Sequence, residues 1–298
     1  MDSIESKHLD DEINLKEIFL EIFRNRNFII LITSVFTLIG IIYSLLQPNI
    51  YTSNAVLMAS GQNSSSQSNS LSSIASSAGL KIGSSGGVDN NQLVVQMVKS
   101  REFFKHLAAF EDVLPSIYAS ESFDKKTGSL NFDASIYDAS KNSWVSKKPN
   151  LLEAYELYDQ SVFITHSINT GMIYLRVVHK SPIFAQSLCR LIISELNELS
   201  KNRAAIEASS SLDYLYEELS KTPQQEIKQS ISALIEGQLR TKMLANVRND
   251  YLVRTLDSPQ LPHKKSAPWR TLICLIFMFS GFLISLSYVL IRFYGFKT

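Results

Sequence analysis

Two uncharged apolar runs, one near each end, restrict this chain more than any other feature in it. Phe28 to Leu46 reads FIILITSVFTLIGIIYSLL, 19 residues, and Thr271 to Ile291 reads TLICLIFMFSGFLISLSYVLI, 21 residues. At helical rise the first covers roughly 28 Å, close to the hydrocarbon thickness of a bilayer. A surface helix would carry a polar stripe, and a core helix of a soluble protein rarely stays apolar around its whole circumference. A secretory signal would have a shorter apolar core followed closely by a small-x-small site. Ser53-Asn54-Ala55 is such a site, but it lies well past the run and inside a strand-like stretch. Both runs are therefore expected to be transmembrane helices, the first an uncleaved anchor.

Basic residues set the expected orientation. Lys16, Arg24 and Arg26 precede the first run, and the next Lys or Arg is Lys81. This places the N-terminus in the cytoplasm. The flanks of the second run, Arg254, Lys264, Lys265 and Arg270 before it and Arg292 and Lys297 after it, taken alone argue the other way. The first helix usually dominates, and long loops translocate largely regardless of charge. The organisation expected is a cytoplasmic amphipathic lead over 1–27, a first transmembrane helix over 28–46 and an exported domain over 47–268. A second transmembrane helix over 269–291 and a cytoplasmic tail over 292–298 follow. Both termini are then cytoplasmic.

Net charge is +1, so no whole-chain field points to nucleic acid as a partner. Only two cysteines occur, Cys189 and Cys274, the second inside an apolar run; no disulfide and no zinc spacing are expected.

Between the runs the patterning mixes strand and helix. Ile13, Leu15, Ile18, Phe19, Ile22 and Phe23 in the lead recur at helical spacing, as in a helix at a membrane surface. Pro48 ends the first helix, and Tyr51 to Ala59 reads as a strand. Ser60 to Gly87 has the Ser/Asn/Gly composition of a loose loop, with Leu71 to Leu80 as a short docking helix. Asn91 to Phe110 reads as a helix with Leu93, Met97, Phe104 and Leu107 inward. Residues 111–150 look irregular, with turns at Lys126-Thr127-Gly128 and Lys148-Pro149-Asn150, and Leu151 to Gln160 reads as a short helix.

Val162 to Ile164 and Met172 to Val178, separated by Asn169-Thr170-Gly171, predict a hairpin. Ser181-Pro182 predicts the N-cap and first residue of a long helix, and Thr222 the cap of another with Gln225 in the capping-box position. Together these helices, about 182–256, total roughly 70 residues and would reach about 100 Å end to end. Helices of that length do not bury themselves in one domain of this size, so other copies of the chain are expected beside them.

No catalytic constellation stands out. The chain has no GxxxxGK[ST] loop, no GxSxG elbow and no HExxH pair. Its five histidines, His8, His106, His166, His179 and His263, are unclustered, although His166 and His179 flank the hairpin. No catalytic residues, cofactor or metal are expected. Two motifs have a structural reading. Pro259, Pro262 and Pro268 predict an extended, stiff linker over 258–268, because proline fixes φ and removes a donor. Gly281 and Ser285 form a small-xxx-small pair that suits close helix approach in a membrane.

Five segments, DEINLKEIFLEIFRNRNFI, LSSIASSAGLKIG, NNQLVVQMVKSREF, NTGMIYLRVVHKSPIFAQSLCRLIISELNE and SPQLPHKKSAPWR, carry a resemblance when taken in order. They resemble the Wzz-type chain-length determinants, the polysaccharide co-polymerases of bacterial inner membranes without a fused tyrosine kinase. The chain departs from the family in an irregular proline spacing around Lys265. The resemblance implies an α+β membrane protein, with two terminal transmembrane helices flanking a periplasmic α/β base and long extended helices. It implies a homo-oligomer in the inner membrane that contacts membrane lipid, a membrane-embedded polysaccharide polymerase and a polysaccharide or lipid-linked glycan. It implies a non-enzymatic role in setting the chain length of O-antigen, exopolysaccharide or capsule. An export component bridging inner membrane and periplasm is the alternative, and a two-span sensor has little chain outside the exported part for an output.

Overall fold

The computed structural model describes residues 23–60, 90–145 and 147–295. Most of the amphipathic lead, the Ser-rich stretch and its docking helix lie outside them. The chain divides into two units, one breaking off at Pro48 and resuming at Ala267, the other running from Asn49 to Ser266.

The first unit is a pair of helices, α1 (Arg26–Leu46) and α8 (Arg270–Gly295). Both are long and apolar enough to cross a membrane, and only 17% of either apolar window is buried. A core helix of a soluble protein would be mostly covered; these leave Ile30, Leu31, Leu45, Leu275, Ile276 and Phe279 more than half exposed. Such surface is stable in hydrocarbon and costly in water. The protein is a membrane protein.

The second unit is built on a four-stranded antiparallel sheet, order β6-β7-β1-β8, from β1 (Tyr51–Ala59), β6 (Val162–His166), β7 (Met172–His179) and β8 (Val253–Asp257). Strand alternation puts Ala55, Leu57, Ile164, Ile173, Leu175, Val177 and Val253 on one face, all buried. Helix α6 (Pro182–Lys221) lies across β1 and β7, and α2 (Asn90–Val98) contacts β6 and β1. Leu188, Ile192 and Leu196 of α6 have almost no exposed surface, each contributing about 1.5–3 kcal/mol of burial. Cys189 sits among them as a small apolar residue, its thiol pushed up to about 12 by burial.

The stretch expected as one helix over 91–110 is two, α2 and α3 (Arg101–Leu107), broken where Ser100 takes the N-cap and accepts from the Phe103 amide at 3.1 Å. Val94, Val98, Phe103, Phe104 and Leu107 point inward, while Leu93 is exposed because the break rotates the inner face. The freed carbonyls at the end of α2 accept hydrogen bonds from tyrosines of α5 (Leu151–Ser161). Tyr158 donates to Val98 and Tyr155 to Lys99. Residues 111–150 are not irregular. They hold α4 (Val113–Tyr118) and two small hairpins, β2 (Ser120–Asp124) with β3 (Ser129–Phe132) and β4 (Tyr137–Asp138) with β5 (Ser143–Trp144). Gly128 at φ +69° makes the first turn.

Helices α6 and α7 (Gln225–Val247) do not run end to end; they pack on each other. Pro223 forces the preceding residue extended, so Thr222 closes α6, its hydroxyl donating to the Glu218 carbonyl, and α7 starts at Gln225 with Gln224 in the N-cap position making no side-chain bond. Leu212, Ile231 and Ile235, flanked by Leu215 and Leu219, form a small second core. Ile206, Leu234, Leu239 and Val247 are exposed. The helical stretch expected to reach about 256 stops at Val247, and Val253–Asp257 turns into β8, because strand pairing with β1 captures Val253, Arg254 and Thr255.

Two polar side chains hold the unit's joints. Buried Asn197 of α6 accepts from the amides of Leu252 and Val253 at 2.8 and 2.9 Å and donates to the Val253 carbonyl at 3.0 Å. It thereby seats β8 where α7 ends. His179, at the end of β7, places Nε2 at 2.9 Å from the Ser116 carbonyl of α4, while Nδ1 accepts from the Ser181 amide at 3.0 Å. Burial lowers its pKa to about 4. His166 and His179 do not face each other, since they pair with Ile173 and Tyr51 at opposite ends of the hairpin.

Two outcomes follow. Replacing Asn197 by leucine strands two amides and a carbonyl and should cost about 2–4 kcal/mol in denaturant unfolding of the detergent-solubilised chain. Between pH 6.5 and 4 the unfolded chain holds a proton on His179 that the folded chain excludes, so stability rises with pH across that window. Acidification through it should remove on the order of 3 kcal/mol. In His179→Asn, which cannot titrate, the melting temperature should fall less steeply over the same range.

Candidate functional site

The two motifs singled out in the sequence lie in different units. In the sheet unit the chain over 258–266 is neither helix nor strand, with a bend at Lys264; proline removes amide donors there. Its carbonyls are held by side chains instead. Gln186 of α6 donates to the Pro259 carbonyl at 2.9 Å, and Ser53 of β1 donates to the Gln260 carbonyl at 3.0 Å. Pro259 is buried and Pro262 half-buried. The Ser266 amide donates to the Ile50 carbonyl at 2.8 Å, so the segment ends beside the start of β1. Pro268, half-buried after a cis bond from Ala267, belongs to the helix unit.

In the helix pair the small residues meet large ones. A Cβ built on Gly281 would stand 2.6 Å from the Phe36 Cβ, and one on Gly40 would stand 2.7 Å from the Phe277 Cβ. Each helix thus supplies a glycine notch that receives a phenylalanine of the other. Phe28 meets Tyr288 at 5.3 Å and Tyr43 meets Phe277 at 5.9 Å, which fixes an antiparallel register. Ser285, fully buried, turns its hydroxyl back to the Phe282 carbonyl at 2.8 Å and so brings no unpaired polar group into the contact. Gly40 and Phe36 escaped the sequence reading because the notch is completed only across the helices; the signal available was a glycine in each apolar run.

Among the described residues no group of three or more His, Cys, Asp or Glu is placed to hold a metal ion. His106 pairs with Glu195 at 2.7 Å, joining α3 to α6.

A side chain at Gly281 must push Phe36 away. Gly281→Val should weaken the helix pair by about 1–3 kcal/mol, by the logic of overpacking. Cysteines placed at Phe28 and Tyr288 should cross-link readily in membranes of the otherwise native chain and several-fold less in the Gly281→Val background.

Residues 11–109 match the family model "Chain length determinant protein", Wzz. Among solved structures, a full-length bacterial polysaccharide co-polymerase aligns with 94% of this chain and 97% of its own, at 11% identity and a TM-score of 0.41. A fragment of WzzB, the polysaccharide co-polymerase from Salmonella Typhimurium, aligns with 74% of this chain and 100% of its own, at 14% identity and a TM-score of 0.33. No curated protein matches the chain. Over residues 11–109, about a third of its length, the chain is thus similar to the Wzz chain length determinant family.

Proposed function

We propose that this protein is a non-enzymatic scaffold that sets the chain length of a surface polysaccharide, working as an oligomer beside a membrane-embedded polymerase. The observation that carries the reading is the match to the chain length determinant family over 11–109, in a chain whose α1 and α8 pack as an antiparallel pair of apolar helices. An antiparallel pair returns the chain to the side it left, with both termini in the cytoplasm and residues 49–266 in the periplasm, as the basic residues ahead of Phe28 favour.

Subunit contact draws support from the helical hairpin. Ile206, Met243 and Val247 are 67%, 65% and 78% exposed, more apolar surface than a solitary hairpin in water keeps open. A second copy of the same hairpin is the occupant that covers it. Proline over 258–268 restricts the backbone that leads from the exported unit to the second apolar helix. The polymerase contact falls to the membrane helices, whose outward faces are unoccupied among the described residues.

Deleting the protein should leave polymer synthesis intact and broaden or shift its length distribution on a size-resolving gel, with recovery on complementation. An unchanged distribution rejects the proposal. Normal lengths with loss of polymer from the surface replace it by an export role.

A further inference from the structure

The excursion between Ala119 and Lys148 carries chemistry that neither the helix pair nor the linker uses. Its hairpins bring three rings together beside Tyr118 of α4. Phe132 meets Tyr137 at 5.3 Å, Tyr137 meets Trp144 at 5.1 Å, and Tyr118 meets Trp144 at 6.3 Å, with interplanar angles of 61°, 65° and 71°. These edge-to-face contacts fix Trp144 without a parallel ring stacked on it, and the indole remains half-buried. Beside it lies a cavity of about 230 Å³. Its aromatic lining is Phe110, Tyr137 and Trp144; its polar lining is Glu111, Asn142 and Lys148.

Two details mark this as more than a surface dent. Phe110 stands 37% exposed at the cavity although the core lies directly behind it at Leu107 and Leu114. Asn142 is the one non-glycine among the described residues with a left-handed backbone, φ 52°. That conformation carries a cost that is tolerated where surrounding contacts hold it. Here the Tyr137 hydroxyl donates to Asn142 Oδ1, which leaves the Nδ2 group as the amide's donor. Burial, then the carboxylates of Asp112 and Glu111, raise the Tyr137 pKa, so the phenol keeps the proton that this bond needs.

We propose that this cavity is a subsite for one neutral sugar ring of a glycan chain. The apolar C–H face of a sugar packs on Phe110 and Trp144. Its hydroxyls donate to the Glu111 carboxylate and accept from Asn142 Nδ2 and Lys148 Nζ. One acid and one base leave the lining without net charge, which disfavours a phosphate; three polar groups around it disfavour an acyl chain. The volume falls below the roughly 300 Å³ at which whole small-molecule sites begin, as suits a single ring of a longer polymer. A second cavity of about 720 Å³ shares Tyr137 and is lined by Ser122, Asn131, Phe132, Asp138 and Ser140, again an aromatic ring among hydroxyl, amide and carboxylate groups. A polymer occupying the first has a continuation there. The subsite rests on the proposed function for the presence of a glycan, and names where that glycan touches this chain.

The chain has two tryptophans, so Trp269→Phe leaves Trp144 as the only indole. The full-length variant, in detergent, is titrated with oligosaccharides cut from the host's own surface polysaccharide, with a neutral hexose trisaccharide and with inorganic phosphate. The expected result is a saturable shift in Trp144 emission with a saccharide and none with phosphate, accompanied by saturation transfer to sugar C–H protons. Phe110→Ala and Glu111→Gln alter exposed side chains, and each should weaken binding at least tenfold with circular dichroism unchanged. No saturable response to any saccharide, a response to phosphate alone, or binding indifferent to both substitutions overturns the proposal. Absent binding in a chain that still sets polymer length removes the subsite and leaves the proposed function standing. Binding by a chain whose deletion leaves lengths unaltered does the reverse.

Discussion

Hydrocarbon offers no water to an unpaired amide or carbonyl, so a chain that enters a bilayer must do so with its backbone bonds closed on themselves. Two apolar runs meet that demand here as helices, and their reciprocal glycine notches let Phe36 and Phe277 fill the space between them. A tightly packed pair requires the segment joining the helices to begin and end at neighbouring points. The sheet unit satisfies this within itself, since the Ser266 amide reaches the Ile50 carbonyl and the linker backbone is held by Ser53 and Gln186. Central β1, which opens the unit, is flanked by the hairpin strand β7 and by β8, the strand that leads into the linker.

Much of this was readable from local chemistry. The apolar runs matched α1 and α8 to within a few residues at their ends. Asn169-Thr170-Gly171 lies in the turn between β6 and β7, with Gly171 at φ +64°, and Ser181-Pro182 starts α6 with the serine hydroxyl accepting from the Phe184 amide. In each case a residue's own conformational preference agrees with its tertiary role. Thr222 shows the opposite situation: hydroxyl and proline together fit the end of one helix as well as the start of the next, and only the reversal of the chain decides between them.

What stayed hidden was set by contacts between distant segments. Asn197 is one polar residue in a long amphipathic pattern, and nothing local distinguishes it from an exposed asparagine; its three bonds reach residues more than 50 positions away. Strands of two to five residues, such as β2 to β5, are too short for alternation to register, and they are stabilised by rings that converge only after folding. Strand β8 was masked by its neighbour α7, since pairing with β1 outweighs the helical pattern that precedes it. The apolar residues of α7 were visible, but which of them faces inward depends on where the hairpin closes.

Beyond Asn197, α6 runs about 36 Å further to Lys221, and α7 returns over about 34 Å. Below that asparagine the helix is locked into the sheet's core; above it the two helices share a slender contact around Leu212, Ile231 and Ile235. Stability is thus graded along one helix, firm at its root and loose at its tip. Matched turns can be added to or removed from both arms without disturbing the packing beneath, so evolution can vary the height of this lever while the fulcrum stays the same.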